Sequence, residues 1–164
     1  MSSQELRREK AQRGHRVNPP DTGWLDANVI LRFLLNDHDE HSPRAKALFE
    51  AAERGNVMLK VPPHIVCEVV YILESQDYRR EDVYEAIRDL AQIRGVQLED
   101  QEAVLQALID YRDKKADFAD ALLAAIAKAR SHKVFTFNKH HFGCLDVSWN
   151  EPPPVTPPQQ KMSL

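Results

Sequence analysis

The sequence predicts an α/β fold built on a parallel sheet of about five strands, and three observations lead there. Short apolar runs alternate with longer stretches of helical periodicity between residues 23 and 149, which is how strand–helix units read in a sequence. The runs fall at Trp24-Leu25, Val57–Val61, Val96–Leu98, Lys133–Phe137 and Val147–Trp149. The length, 164 residues, fits one domain able to bury roughly two-thirds of its unfolded surface.

Each element has a local reason. Trp24-Leu25 begins the first strand, and Asn28–Leu35 follows as a short helix. Ser42-Pro43 reads as a helix start, with Ser42 as N-cap and Pro43 at the first helical position, where a missing N–H does no harm. Ala45, Leu48, Phe49 and Ala52 then share one apolar face, and Gly55 ends the helix. Val57–Val61 is the second strand, broken by Pro62-Pro63; Ile65, Val66, Val69, Val70 and Leu73 next recur at the spacing of a buried helical face. Arg80–Arg94 is amphipathic through Val83, Ile87 and Leu90, has Glu81 and Asp82 in the first turn where the helix dipole favours negative charge, and stops at Gly95. Val96–Leu98 is a brief third strand. A helix from about Asp100 to Lys115 carries Val104, Leu105, Leu108 and Ile109, and another from about Phe118 to Arg130 carries Ala121, Leu122, Ala125 and Ile126. Lys133–Phe137 is the fourth strand and Val147–Trp149 a last edge strand.

The ends differ from this body. Residues 1–22 hold almost no large apolar side chain and read as an N-terminal extension, disordered or docked on a partner; 23–149 is the folded domain; 150–164, with five prolines, is a Pro-rich tail. No apolar run approaches the roughly 20 residues needed to span a bilayer, and the N-terminus lacks the apolar core of a secretory signal. The expectation is a cytoplasmic protein with no membrane contact. Cys67 and Cys144 form no C-x-x-C pair, so neither zinc nor a disulfide framework is indicated. The first 22 residues carry five basic against three acidic side chains; subtracting their +2 from the total of -3 leaves -5 for the rest. An acidic body argues against nonspecific coating of nucleic acid, which relies on neutralising phosphates, but not against a nuclease whose metal-binding carboxylates add negative charge.

Three acidic positions stand out. Asp26, in Leu25-Asp26-Ala27-Asn28-Val29-Ile30, lies at the carboxyl end of the first strand, where open parallel sheets gather their sites; an N-cap role explains it equally well. Glu68 sits inside the apolar run Ile65–Leu73, where an unpaired carboxylate is costly to ionise and a cation beside it reverses that cost; the alternative is a carboxylate at the edge of the helix reaching water. Asp117-Phe118-Ala119-Asp120 places two carboxylates three residues apart at a helix start, with Asp117 fit to cap it and Asp120 beside the apolar face.

In this order, Leu-Asp-x-Asn-Val-Ile, then Val-Pro-Pro with a Glu in an apolar helix, then Asp-Phe-Ala-Asp-Ala-Leu, then Thr-Phe-Asn after a strand, the residues resemble the PIN domain of VapC-type toxins over about Gly23–Trp149. The resemblance implies a three-layer PIN-like fold, a central parallel sheet with helices on both faces and acids at the carboxyl ends of the strands holding magnesium or manganese. It makes Asp26 the first metal-binding aspartate, Asn28 the polar neighbour that orients the site, Glu68 the helix glutamate, Asp120 the third acid and Asp117 an accessory metal-site aspartate. Thr136 matches the threonine closing the fourth strand. Asn138 stands where the family often has aspartate; an amide is the weaker ligand for a hard cation, which leaves one metal and two metals both open. The implied activity is metal-dependent hydrolysis of RNA phosphodiesters, with transfer RNA among the implied substrates. The implied partners are a VapB-like antitoxin, whose C-terminal segment packs in a groove, and a second copy in a homodimer.

Other signals weigh less. His140-His141-x-x-Cys144 lacks the further ligands of a closed zinc site. Lys139 and His141, Arg79-Arg80 and Lys114-Lys115 read either as phosphate contacts or as solvated surface. The helices around Val69–Leu73 and Val83–Leu90 offer surface for partners. A PIN fold with weakened catalysis, acting as an RNA- or protein-binding module, is the alternative function. A phosphatase is disfavoured because no phosphate-cradling glycine loop is present.

Overall fold

The computed structural model describes residues 20–155. They run β1 (Asp21–Trp24), α1 (Ala27–Leu35), α2 (His41–Glu53), β2 (Val57–Val61), α3 (Pro63–Ser75), α4 (Arg80–Gln92), β3 (Val96–Leu98), α5 (Gln101–Asp113), α6 (Phe118–Ala129), β4 (Val134–Phe135), α7 (Lys139–Phe142) and β5 (Trp149–Asn150). The N-terminal extension up to residue 19 and the tail from residue 156 lie outside the described residues. No helix among those described is long and apolar enough to cross a membrane.

Every strand pairing is parallel, because each return to the sheet passes through helices rather than a tight turn. Trp24 faces Lys60 and Val61 faces Leu98 in a sheet of order β1-β2-β3, while β4 and β5 pair separately, Val134 with Trp149 and Phe135 with Asn150. The expected single sheet of about five strands is therefore two sheets, of three and two strands. The reason lies in β1: Asp-Thr-Gly-Trp has no β-branched apolar run, its Gly23 offers no side chain to pack, and three of its four residues are exposed. It ends the three-stranded sheet as an edge. β1 also starts at Asp21, ahead of the expected Trp24, and Leu25 continues its ladder by donating to Lys60 O at 2.9 Å.

The core is the predicted one at most positions. Ile65, Val66, Val69, Val70 and Leu73 of α3 are buried, as are Val83, Ile87 and Leu90 of α4, so these residues form the core and are not the partner surface expected of them. Phe33 stacks on Phe49 at 4.0 Å between ring centroids, and Tyr111 meets Phe118 edge-on at 6.0 Å across the α5–α6 pair, the most extensive helix packing in the fold. Helix α2 begins at His41 rather than after Ser42; Ser42 is buried, and its hydroxyl accepts from His38 N at 3.2 Å, closing the turn that leads into the helix. Gly95 has φ +83°, and a Cβ there would stand 2.4 Å from Ala52 O, so α2 and the start of β3 meet only because this residue is glycine.

Candidate active site

Three predicted site residues are helix N-caps. Asp26, extended at φ -86° and ψ 153°, caps α1 by accepting from Asn28 N at 3.2 Å. Asp117 caps α6 by accepting from Asp120 N at 3.1 Å, and Asn138 caps α7 by accepting from His141 N at 3.3 Å. Each satisfies a backbone donor that the first helical turn leaves without a partner, and the two aspartates place negative charge where the dipoles of α1 and α6 favour it. Capping and a metal-binding role are compatible, since the cap uses one carboxylate oxygen of Asp26 and of Asp117 and leaves the other without a hydrogen bond among the described residues.

Glu68 is exposed, so the argument that burial strains its charge does not hold. The apolar run around it is long because α3 buries a wide face, and Glu68 shares the opposite side with Tyr71, which is also exposed. Its position still bears on the site. α3 packs on both α1 and α6, between the helix that Asp26 caps and the helix that carries Asp120. The pKa of the Cys67 thiol, next to Glu68, is raised by burial and then by the charge of Asp117.

One contact was not foreseen. His141 Nδ1 lies 2.6 Å from Asp120 Oδ2, close enough for the ring N–H to donate to the carboxylate. The hydroxyl of Thr136 accepts from Asn138 N at 2.9 Å, Asn138 caps the helix that carries His141, His141 holds Asp120, and the Asp120 amide is held by Asp117. Buried Phe142 fixes α7 to the core beside this chain of bonds. The signal in the sequence was Asn138 followed three residues later by His141, which is cap spacing; Asn138 instead drew attention as a ligand position.

The predicted donors are carboxylate oxygens, the ligand type of hard divalent cations, and in chemistry they fit magnesium or manganese. Among the described residues no group of three His, Cys, Asp or Glu side chains stands close enough together to hold a metal ion. The basic residues considered as phosphate contacts are mostly engaged. Arg79 is bidentate on Asp82 at 2.7 and 2.8 Å, and Lys114 pairs with the buried Asp110 at 3.0 Å. Arg80 Nη1 donates to the carbonyls of Tyr111 at 2.7 Å and Ala116 at 2.6 Å, and its guanidinium lies 4.3 Å from the Tyr111 ring. It braces the connection that delivers Asp117.

Parallel strands joined by helices, with an aspartate at the exit of β1 and an aspartate pair opening α6, define an α/β protein of the PIN class. The PIN domain family model matches residues 24–143, and the chain belongs to that family. Within the family its likeness is to the VapC type: it is 29% identical over 105 residues to the VapC ribonuclease of Aquifex aeolicus (strain VF5), an alignment covering 63% of this chain and 77% of that protein.

Proposed function

We propose that the protein is a metal-dependent endoribonuclease and the toxin of a toxin–antitoxin pair. The observation that carries this reading is the aspartate pair at the start of α6, one carboxylate capping the helix and the next held by His141, in a chain of the PIN family similar to a VapC ribonuclease. Asp26, Glu68 and Asp120 would hold magnesium or manganese, with Asp117 accessory. A bound divalent ion neutralises the phosphate and lowers the pKa of an attacking water. The chain's own contribution is positional. The caps fix Asp26 and Asp117 at helix starts, His141 fixes the Asp120 carboxylate, and Asn28, two residues on from Asp26, would orient the site. Water is the nucleophile, so no covalent enzyme intermediate forms.

A groove of about 600 Å³ adjoins Asn28, with Val29, Ala45 and Leu48 as its floor and Arg32, His41 and Arg44 around it. We place the antitoxin segment there, an amphipathic helix or strand whose apolar side chains meet Val29, Ala45 and Leu48, since Arg32 and Arg44 are already paired with Asp37 and Glu40. Co-expression is expected to yield a complex, and expression of the toxin alone to slow growth. The decisive experiment measures RNA cleavage against magnesium and manganese concentration for Asp26→Asn, Glu68→Gln and Asp120→Asn. Each keeps its shape and loses one negative charge, so activity is expected to fall severely with the circular dichroism unchanged. Full activity in the Asp26 and Asp120 variants, or in chelator, removes the assignment. A second reading, a PIN fold that binds RNA or protein with weak catalysis, draws on Asn138, whose side-chain oxygen is engaged in capping α7; RNA binding without cleavage at any metal concentration would favour it.

A further inference from the structure

β4 and the residues just beyond it present a surface that neither the acids nor the antitoxin groove uses. Val134 points into the core, while Phe135 is 61% exposed and Phe137 74% exposed. Lys133 and Phe135, two residues apart, lie on the same outward side, and Phe137 stands in the bend just beyond the strand. Lys133 Nζ lies 5.5 Å from the Phe135 ring centroid. Phe137 immediately precedes Asn138, the cap of the helix whose His141 holds Asp120. The two grooves flanking β4, of about 330 and 530 Å³, are lined by Arg130, His132 and Lys133 and by Lys128, His132 and Lys133, with no acidic residue in either lining. Asp100 pairs with Arg130 at 3.1 Å and Asp146 pairs with Lys128, which leaves Lys133 as the cation of these two linings without an acidic partner among the described residues, with the His132 imidazole beside it.

We infer that Phe135 and Phe137 form a stacking platform for unpaired bases of single-stranded RNA, with Lys133 and His132 on its phosphates, leading the strand toward Asp120. The inference rests on the ribonuclease reading for the direction of the strand, though not for the binding itself. Two exposed rings, one of them beside Lys133 and lining a groove without acidic side chains, suit a ligand with planar bases and a charged backbone. An apolar protein partner would find Lys133 in the middle of the patch. Duplex RNA keeps its bases inside the helix and offers these rings nothing to stack on.

The test uses the full chain in chelator, so that binding is read without cleavage, and a short fluorescein-labelled oligouridylate followed by anisotropy. Phe135→Ala and Phe137→Ala are each expected to weaken binding about tenfold, the double variant more, and Phe137→Trp to restore it. An abasic oligonucleotide of equal charge should bind all variants alike. Both rings are exposed, so unchanged thermal melting is expected and controls for folding. Wild-type affinity in the double variant overturns the platform, as does equal loss for abasic and normal RNA. If the double variant instead turns a dimer into a monomer in sedimentation velocity with RNA affinity intact, the patch is a self-association face and the inference fails. Ring-dependent binding with no cleavage on adding manganese overturns the ribonuclease reading alone. Normal cleavage with ring-independent binding overturns the platform alone.

Discussion

Replacing Arg80 by alanine is expected to loosen the fold at the connection that feeds the site. The last carbonyls of a helix have no partner within it, and Tyr111 O, near the end of α5, is one of these. Arg80 supplies that partner from a distant helix and ties Ala116 O to the same nitrogen. A hydrogen bond from a charged donor contributes about 1.5–3 kcal/mol. Because both bonds leave one Nη1 and the side chain is 35% exposed, the pair is taken at about 2–3 kcal/mol rather than double. Stacking on Tyr111 adds about 0.5–1 kcal/mol. The Glu74 ion pair, 3.5 Å long and a third exposed on both sides, is given no share. The total, about 3 kcal/mol, lowers the urea midpoint by about 1.5 M at a slope of about 2 kcal/mol per molar. Arg80→Lys is expected to fall between, since an ammonium lacks the planar fork. Arg79→Ala, which removes only a surface pair with Asp82, is the control and should cost under about 0.5 kcal/mol. A loss below about 1 kcal/mol for Arg80→Ala would refute the brace, because the two carbonyls would then be as well served by water.

Other expectations follow from the same geometry. Gly95→Ala forces a Cβ against Ala52 O in a left-handed backbone and should destabilise by about 3 kcal/mol or more in the same urea assay. Asn138→Asp keeps the α7 cap and adds a charge at the start of the helix whose His141 holds Asp120, so manganese binding followed by electron paramagnetic resonance should tighten with the melting temperature unchanged; weaker binding would count against that position facing the metal. Asp37, Asp82, Asp113 and Asp146 are held below the usual aspartate range by hydrogen bonds from Arg32, Arg79, Arg112 and Lys128. Their folded values are lowered, so their stabilisation is complete above the unfolded value of about 3.9 and is lost as pH falls through the folded ones. Urea midpoints should therefore drop between pH 5 and 3 by a small amount that salt diminishes. Iodoacetamide should label exposed Cys144 well before Cys67, whose thiol burial pushes up, as mass spectrometry of timed digests would show.

Periodicity made the helices legible: the faces of α3 and α4 lie in the core residue for residue, because wide apolar stripes have only one way to be buried. Strand content was legible in β2 and β3 and not in the sheet as a whole. Joining the two sheets into one depends on short edge segments meeting, and neither Asp-Thr-Gly-Trp nor Val134-Phe135 states its neighbour. For the site, the residue types stood out while their local work did not. Glu68 looked buried because five apolar neighbours surround it in sequence, yet helical geometry turns it outward. Ser42 looked like a cap because Pro43 follows it, but the helix starts earlier and the hydroxyl serves His38. His141 was read as a phosphate contact or solvated surface, because the carboxylate it holds lies 21 residues away, a distance no local pattern spans.

The three caps give the site its own spectroscopic reporters. The amide protons of Asn28, Asp120 and His141 end on the side chains of Asp26, Asp117 and Asn138. Any change in charge or orientation at those side chains passes directly into the nitrogen–proton correlations of three identifiable residues. Titrating magnesium into labelled protein should move these peaks ahead of those in the buried helices, and their exchange with deuterated solvent should slow as the caps tighten. Metal loading of the proposed site would thus be read amide by amide, independently of any cleavage assay.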